Sequence, residues 1–138
     1  MIVYLDTSIV LRKILGEGSS LDCWGQWKEA FSSSLIQVET YRTLDRLRLS
    51  SLMNDQEVAG VRHQVETVFR TIKLVQVNPS VLEQACSSFP TVVGTLDAIH
   101  LSTAIIMRKS LKIDAFLTHD KQLALAARSV GFEVLGCP

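Results

Sequence analysis

Short apolar runs alternate with amphipathic segments along this chain. The runs cover residues 2–5, 32–38, 72–77, 115–118 and 132–135. Continuous apolar runs of this length are typical of strands buried on both faces of a parallel sheet, and the segments between them carry apolar residues at helical spacing. The alternation predicts a three-layer α/β/α domain with about five mostly parallel strands and right-handed crossovers.

Capping and stop signals set the bounds of the predicted helices. Asp6 can cap a first helix, which Gly16 is expected to end. Asn54 and Glu57 have the spacing of a capping box at the start of another. Further helices are predicted from Ser19 or Ser20 to Phe31 and over residues 39–49, 55–70, 79–87, 97–109 and 121–130, with a loop over 90–96. Because no strand separates the helices at 39–49 and 55–70, we expect a helical hairpin that projects from the sheet body.

The composition narrows the class of protein. A chain of 138 residues with 47% hydrophobic and 20% charged residues is expected to fold as one domain over residues 1–138. Its three cysteines are widely spaced, which argues against a disulfide scaffold and against structural zinc. No run reaches the ~18 apolar residues that span a bilayer, and the N-terminus lacks the basic segment and cleavage site of a signal peptide. We therefore expect a cytoplasmic protein.

Four carboxylates stand where apolar runs give way to predicted helix starts: Asp6, Glu39, Asp97 and Asp120. Side chains at the carboxyl ends of parallel strands converge on one crevice, where four acids without basic partners would repel one another unless a cation lay among them. Oxygen ligands of this kind suit Mg²⁺ or Mn²⁺. Each acid alone could instead be a helix cap or a first-turn acid favoured by the helix dipole. The joint pattern favours a metal-dependent enzyme that acts on phosphate esters.

Four segments match a known family in their order and spacing. They are YLDTSIVLRKI at 4–14, VETYRTLDRLR at 38–48, LDAIHLSTAIIM at 96–107 and IDAFLTHDKQLALAARSVGFEVL at 113–135. On these segments the chain resembles the PIN-domain ribonucleases, and within them the VapC-type toxins of toxin–antitoxin pairs. The resemblance covers essentially the whole chain and implies five parallel strands in the order 3-2-1-4-5.

The resemblance also implies a chemistry and the residues that carry it. It implies endonucleolytic cleavage of RNA at an acidic pocket that binds Mg²⁺ or Mn²⁺. The family's acids fall on Asp6, Glu39, Asp97 and Asp120. We expect Asp6 and Asp97 to be the core metal ligands, and Glu39 and Asp120 to bind directly or through water. The hydroxyls expected to support these ligands are those of Thr7, Ser8 and Thr118.

The same resemblance implies protein partners. VapC-type toxins pair with a small antitoxin whose C-terminal segment covers the acidic pocket, and they tend to form homodimers. Candidate contacts for RNA phosphates or for acids of the antitoxin are Arg42, Arg46 and Lys121. The predicted hairpin has more apolar residues than one buried face requires, and these either clamp a partner or pack on the same chain: Leu44, Leu47, Leu49, Leu52 and Met53.

Other residues and other classes of protein fit less well. Asp114 and Asp45 are expected to have structural or ion-pair roles, His100 to be packed and hydrogen-bonded, and His119 to lie beside the site. A haloacid-dehalogenase-like phosphatase would need an acid at position 8, which is Ser8, and a receiver domain would need paired acids after the first strand. A catalytically silent PIN-like interaction module is the third alternative. Zero net charge weakens a simple nucleic-acid-binding role but not a nuclease.

Overall fold

Residues 1–18 and 21–137 are the part of the chain that the computed structural model describes, and in it one or two helices separate successive strands. The strands are β1 (Ile2–Leu5), β2 (Glu29–Ser33), β3 (Lys73–Val75), β4 (Ala115–Leu117) and β5 (Val134–Leu135). The helices are α1 (Thr7–Leu15), α2 (Leu35–Leu49), α3 (Asp55–Phe69), α4 (Pro79–Ala85), α5 (Thr95–Met107) and α6 (Lys121–Ser129). Within this described part, no helix is long and apolar enough to cross a membrane.

All neighbouring strands pair in parallel, in the order β3-β2-β1-β4-β5. The central strand is β1, whose Val3 is in register with Ala30 of β2 and Ala115 of β4. The predicted sheet and its strand order are therefore confirmed. Because the strands are parallel, the carboxyl ends of β1, β2 and β4 lie at the same edge of the sheet.

The sheet is buried on both faces because its strand residues alternate between two hydrophobic clusters. Tyr4 and Phe116 point to one face, where they pack with Leu101 of α5 and residues of α6. Val3 and Leu5 point to the other face, with residues of α1 and α2. This alternation produces the three-layer architecture that the apolar runs predict.

The predicted helix from Ser19 or Ser20 to Phe31 is wrong over its described part. Its proposed cap at Ser19 or Ser20 lies outside the described residues. Residues 21–28 form turns, because Gly25 adopts the left-handed backbone region with φ of 76°, which interrupts a right-handed helix. Trp24 and Trp27 pack edge to face, with ring centroids 5.3 Å apart. Their spacing reflects that contact and not a helical face.

The predicted strand over 32–38 is also misplaced. The strand ends at Ser33, and α2 begins at Leu35. Within α2 the buried residues are Ile36, Thr40 and Leu44, four positions apart, which is the spacing of one helix face. Val38, which a buried strand would enclose, is 59% exposed. Consequently Glu39 lies in the second turn of α2 and not at a helix start.

The predicted helical hairpin is formed by α2 and α3. Asn54 and Glu57 make both hydrogen bonds of the capping box that begins α3. Leu44 is buried and packs on the same chain, whereas Leu49 and Leu52, at the turn between the helices, are 71% and 72% exposed. The apolar residues of the hairpin therefore divide between internal packing and a free surface.

Candidate active site

Asp6 is the most enclosed acid at the carboxyl edge of the sheet. It follows β1, is 5% exposed and caps α1 through a hydrogen bond from the Ser8 amide to Oδ1 at 3.0 Å. Its Oδ2 accepts hydrogen bonds from the Ser8 hydroxyl, at 2.6 Å, and from the Thr118 hydroxyl. The capping explanation is therefore correct for Asp6, but it accounts for only one of the two carboxylate oxygens.

The two hydroxyls that contact Asp6 are themselves fixed in orientation. Ser8 Oγ accepts a hydrogen bond from the His119 amide at 2.9 Å, and Thr118 Oγ1 accepts one from the Asp120 amide at 3.0 Å. Since each hydroxyl accepts from the backbone, its own hydrogen is directed at Asp6. These bonds tie the carboxyl end of β4 to that of β1.

Asp120 lies beside this cluster and is exposed to solvent. It is the N-cap of α6, since its Oδ1 accepts a hydrogen bond from the Leu123 amide at 2.8 Å. Among the described hydrogen bonds its Oδ2 has no protein partner. Asp120 thus caps a helix with one oxygen and leaves the other available to solvent.

Glu39 reaches the same edge of the sheet from α2. Its Oε1 accepts the Thr7 hydroxyl at 2.7 Å and lies 2.6 Å from Nε2 of His100. Burial would raise the pKa of Glu39, but the hydrogen bond and charge of His100 and the hydrogen bond from Thr7 hold it below its usual value. Glu39 is therefore ionised at neutral pH. Thr7 supports Glu39 and not Asp6, although it adjoins Asp6 in sequence.

Asp97 interacts electrostatically with Asp6 and Asp120 and also with Glu39. It lies in the first turn of α5, which begins at Thr95 with Gly94 as N-cap, so the loop predicted over 90–96 ends slightly earlier than expected. Burial, followed by the negative charges of Asp120 and Asp6, raises the pKa of Asp97 to about 6, and Glu39 adds to the effect. The other three predicted acids thus lie within electrostatic reach of Asp97.

The raised pKa of Asp97 predicts a pH-dependent stability in the absence of metal. An Asp in the unfolded chain has a pKa of about 3.9, so the folded state binds the proton more tightly. The resulting stabilisation is complete below about pH 4 and is lost as pH rises through about 6. Two pKa units correspond to about 3 kcal/mol, which solvent screening of this half-buried carboxylate reduces to about 1 kcal/mol.

This dependence can be measured by thermal unfolding in a chelator at pH 4.5 and pH 7.5. The Asp97→Asn variant isolates the contribution of Asp97, because the other carboxylates titrate in both proteins. We expect the variant to be the more stable protein at pH 7.5, with the difference shrinking at pH 4.5. An equal difference at the two pH values would contradict the assigned titration.

A divalent cation fits the donor chemistry of this edge. Over residues 1–18 and 21–137, Asp6, Asp97 and Asp120 make no ion pair with a lysine or arginine, so their charges are uncompensated. In the same part of the chain, no three His, Cys, Asp or Glu side chains stand close enough to hold a metal by themselves. Carboxylate oxygens that are too far apart to coordinate an ion without water molecules between them suit Mg²⁺, because Mg²⁺ keeps several of its waters when it binds a protein.

The predicted basic residues lie around this site, but only two of them border Glu39 directly. Arg42 and Arg46 line a groove of about 310 Å³ whose other walls include Glu39, Val38 and Leu96. Arg42 pairs with Asp45 at 3.2 Å, whereas Arg46 makes no ion pair among the described residues. Lys121 is exposed at the first position of α6, next to Asp120.

The residues expected to have structural roles have the contacts that such roles require. Asp114 accepts the Ile2 amide at 2.7 Å and pairs with Lys112, at the amino end of the sheet. Asp45 pairs with Arg42 and Arg48 on the surface of α2. The His119 ring is held by the carbonyl of Gly136 at 2.8 Å from Nδ1.

The sequence does not assign Tyr4 or His100 to the site. It predicts Tyr4 only as part of an apolar strand. It predicts that His100 is packed and hydrogen-bonded, which is confirmed, since Tyr4 and His100 are both fully buried and lie 2.9 Å apart at hydrogen-bonding atoms. The contact of His100 with Glu39 is not predicted. The available signals were a phenol in the otherwise aliphatic run IVYL and an imidazole one helical turn after Asp97.

The sheet order and the acids at its carboxyl edge define an α/β domain of the PIN type. The chain belongs to the PIN domain family, whose sequence model matches residues 3–129. Among curated proteins it is similar to Ribonuclease VapC47 of Mycobacterium tuberculosis (strain CDC 1551 / Oshkosh), with 27% identity over 94% of this chain and 93% of that protein. The resemblance drawn from the four sequence segments is therefore confirmed.

A solved structure has the same fold. The crystal structure of Mycobacterium tuberculosis VapC20, described as a toxin that cleaves the sarcin–ricin loop, matches with a TM-score of 0.64. The match covers 94% of this chain and 95% of that one at 16% identity, which supports the common fold alone.

Proposed function

We propose that this chain is a divalent-metal-dependent endoribonuclease and the toxin of a type II toxin–antitoxin pair, with residues 1–138 forming one PIN domain that acts in the cytoplasm. The observation that carries the proposal is the approach of Asp6, Glu39 and Asp120 to Asp97 at one sheet edge, where burial and then the charges of these acids raise the pKa of Asp97. Such a concentration of acids is costly unless a cation offsets it. The similarity to a protein named as a VapC ribonuclease supports RNA as the substrate.

In this proposal Asp6 and Asp97 are the core ligands of Mg²⁺ or Mn²⁺, and Glu39 and Asp120 bind directly or through water. A bound ion would neutralise charge on the scissile phosphate and lower the pKa of a water molecule. The exposed oxygen of Asp120 can accept a hydrogen bond from the attacking water and orient it. Glu39 contributes a permanent negative charge because its pKa is lowered.

The hydroxyl side chains hold these carboxylates in place. Ser8 and Thr118 direct their hydrogens at Oδ2 of Asp6, and Thr7 directs its hydrogen at Oε1 of Glu39. Because the hydroxyls of Ser8 and Thr118 are also fixed by backbone amides, the Asp6 carboxylate does not need to reorganise when the site is loaded.

The proposed activity is tested by incubating the purified protein with an end-labelled pool of structured RNA. We expect discrete internal cuts in Mg²⁺ or Mn²⁺, no cutting in a chelator, and recovery when the metal is added back. A preparation of Asp97→Asn purified in the same way controls for contaminating nuclease. Cleavage that persists in the chelator would contradict the metal dependence, and hydrolysis of phosphomonoesters without RNA cleavage would favour a phosphatase. Metal binding without either activity would favour a silent interaction module.

Arg46, with Arg42 and Lys121, is proposed to contact RNA phosphates or acidic residues of the antitoxin. Arg46 is free of ion pairs in the described structure and shares the groove with Glu39. We expect Arg46→Ala to weaken RNA binding at low salt and to reduce the slope of log affinity against log salt by about 1, as the loss of one phosphate contact does. Binding is measured with Asp97→Asn protein, which is expected not to cut.

The matched control for Arg46 is Lys112→Ala, which removes one positive charge at the opposite end of the sheet, where Lys112 pairs with Asp114. Equal losses of affinity in the two variants would indicate a general effect of net charge and would contradict a local contact at Arg46.

Homodimer formation and binding of an antitoxin complete the proposal. The apolar side chains available for such contacts are exposed near the groove and at the turn of the hairpin: Val38, Leu96, Leu49 and Leu52. Val38 and Leu96 line the same groove, and neighbouring exposed apolar side chains favour protein association. Light scattering of the purified chain tests the dimer.

A further inference from the structure

A buried chain of hydrogen bonds runs from the backbone of β2 to the carboxylate of Glu39. The Ser33 amide donates to the Tyr4 hydroxyl oxygen at 3.0 Å, that oxygen lies 2.9 Å from His100 Nδ1, and His100 Nε2 lies 2.6 Å from Glu39 Oε1. Tyr4 and His100 are both completely buried. We propose that Tyr4 and His100 are positioning residues that set the Glu39 carboxylate before metal and RNA bind, a role that rests on the proposed function.

The contacts determine where the protons lie. The Glu39 carboxylate can only accept, so Nε2 of His100 carries a hydrogen and donates it to Oε1. The Tyr4 oxygen already accepts the Ser33 amide, so its own hydrogen is directed at the acceptor Nδ1 of His100. Tyr4 thereby orients the His100 ring so that Nε2 donates towards Glu39.

This arrangement fixes one oxygen of Glu39 and leaves the other available. Oε1 receives both His100 and the Thr7 hydroxyl, and Oε2 has no partner among the described hydrogen bonds. A glutamate side chain has several rotatable bonds and loses conformational entropy when it is ordered. Because two donors hold Oε1, the Glu39 side chain loses this conformational entropy when the protein folds. The loss therefore does not reduce the affinity for the ion.

Packing alone does not explain the two polar side chains. The Tyr4 ring stacks on Phe116 with centroids 5.0 Å apart, and a phenylalanine would make the same contact. Burying a hydroxyl and an imidazole costs free energy unless each is hydrogen-bonded. Here the hydrogen bonds of Tyr4 and His100 connect to Glu39, an acid at the edge of the proposed site that is 61 residues from His100 in sequence.

The proposal is tested with substitutions that separate hydrogen bonding from packing. His100→Leu removes the donor to Glu39, His100→Gln restores an N–H near the position of Nε2, and Tyr4→Phe removes only the hydroxyl. The control is Ser102→Ala in the same helix, since Ser102 is also completely buried and its hydroxyl has no hydrogen-bond partner in the described structure. Each protein is examined by thermal unfolding, Mn²⁺ titration and single-turnover RNA cleavage.

We expect His100→Leu to weaken Mn²⁺ affinity and to slow cleavage by about tenfold or more, the effect that loss of a partner behind a metal ligand has elsewhere. His100→Gln should recover part of the Mn²⁺ affinity and part of the cleavage rate. For both quantities, Tyr4→Phe should fall between His100→Gln and the unsubstituted protein. Ser102→Ala should change neither the affinity nor the rate. Nitrogen NMR of the metal-free protein should show the His100 hydrogen on Nε2, and Tyr4→Phe should weaken that preference.

A double-mutant cycle with Glu39→Gln identifies the route of the effect. If His100 acts through Glu39, His100→Leu should cause little further loss in the Glu39→Gln background. The same loss in both backgrounds, or equal losses in His100→Leu and His100→Gln at unchanged folding, would overturn the positioning role. If the unsubstituted protein neither binds Mn²⁺ nor cuts RNA, the proposed function itself fails, and the positioning role fails with it.

Discussion

Asp97→Asn is expected to lower RNA cleavage by about 10³-fold or more while making the metal-free protein more stable at neutral pH. The loss follows because asparagine is neutral and the site loses part of the negative charge that holds the cation, a contribution of several kcal/mol to the transition state. The gain in stability follows because the pKa of Asp97 is raised to about 6 by burial and by its acidic neighbours. Single-turnover cleavage and thermal unfolding in a chelator measure the two effects.

The control for Asp97→Asn is Asp114→Asn, the same substitution at an acid of the opposite sheet edge. Asp114 accepts the Ile2 amide and pairs with Lys112, and these contacts lower its pKa. We expect this variant to cut RNA at the normal rate and to gain no stability. Retained cleavage in Asp97→Asn would remove Asp97 from the active site, and reduced stability would contradict the repulsion among the acids.

Asp6→Asn is expected to abolish cleavage as well, but with the opposite effect on stability. Three donors point at the Asp6 carboxylate: the Ser8 amide and the hydroxyls of Ser8 and Thr118. An asparagine presents an NH₂ group to at least one of them, and the displaced donor is left unsatisfied in a buried place. We expect a loss of about 2 kcal/mol in the free energy of unfolding, measured by denaturant titration in a chelator.

The comparison of these two asparagine variants distinguishes the specific contacts of each acid from a general effect of negative charge. Both substitutions remove one negative charge from one edge of the sheet, so a general electrostatic effect would shift stability in the same direction. The described contacts predict opposite directions, because donors satisfy the Asp6 carboxylate, whereas burial and the charges of neighbouring acids disfavour the ionised form of Asp97. A gain of stability in both variants would show that the hydrogen bonds to Asp6 contribute less than its repulsion with Asp97.

The sequence predicts the positions of Asp6 and Asp120 at the carboxyl edge of the sheet, because a strand precedes each acid and a helix follows it. Each acid follows an apolar strand and caps the next helix, so the pattern of neighbouring residues locates it. The sequence predicts Glu39 at a helix start, whereas the structure places it in the second turn of α2. Its segment SSLIQV is short and apolar, and periodicity in so short a run does not distinguish a strand from a buried helix turn.

The partners of the carboxylates could not be predicted in the same way. Thr7 adjoins Asp6 in the sequence but bonds to Glu39, 32 residues away, whereas Thr118 bonds to Asp6 from 112 residues away. A hydroxyl side chain at the end of a strand has several acids within reach. The acid to which it hydrogen-bonds depends on the rotation of the helix that follows. The sequence therefore predicts which hydroxyls lie near the acids, but it does not predict which acid each hydroxyl contacts.

By itself the sequence determined the parallel sheet, most of the helices and the family, because these depend on residue periodicity, caps and short motifs that neighbouring residues encode. Only the tertiary structure determined that Tyr4 and His100 lie behind Glu39 and that Asp97 shares the field of three other acids. These interactions join residues from different strands and helices, and the hydrogen bonds of His100 to Glu39 and Tyr4 span 61 and 96 positions. They arise because the strand order places β1 between β2 and β4, a relation that local patterns do not record.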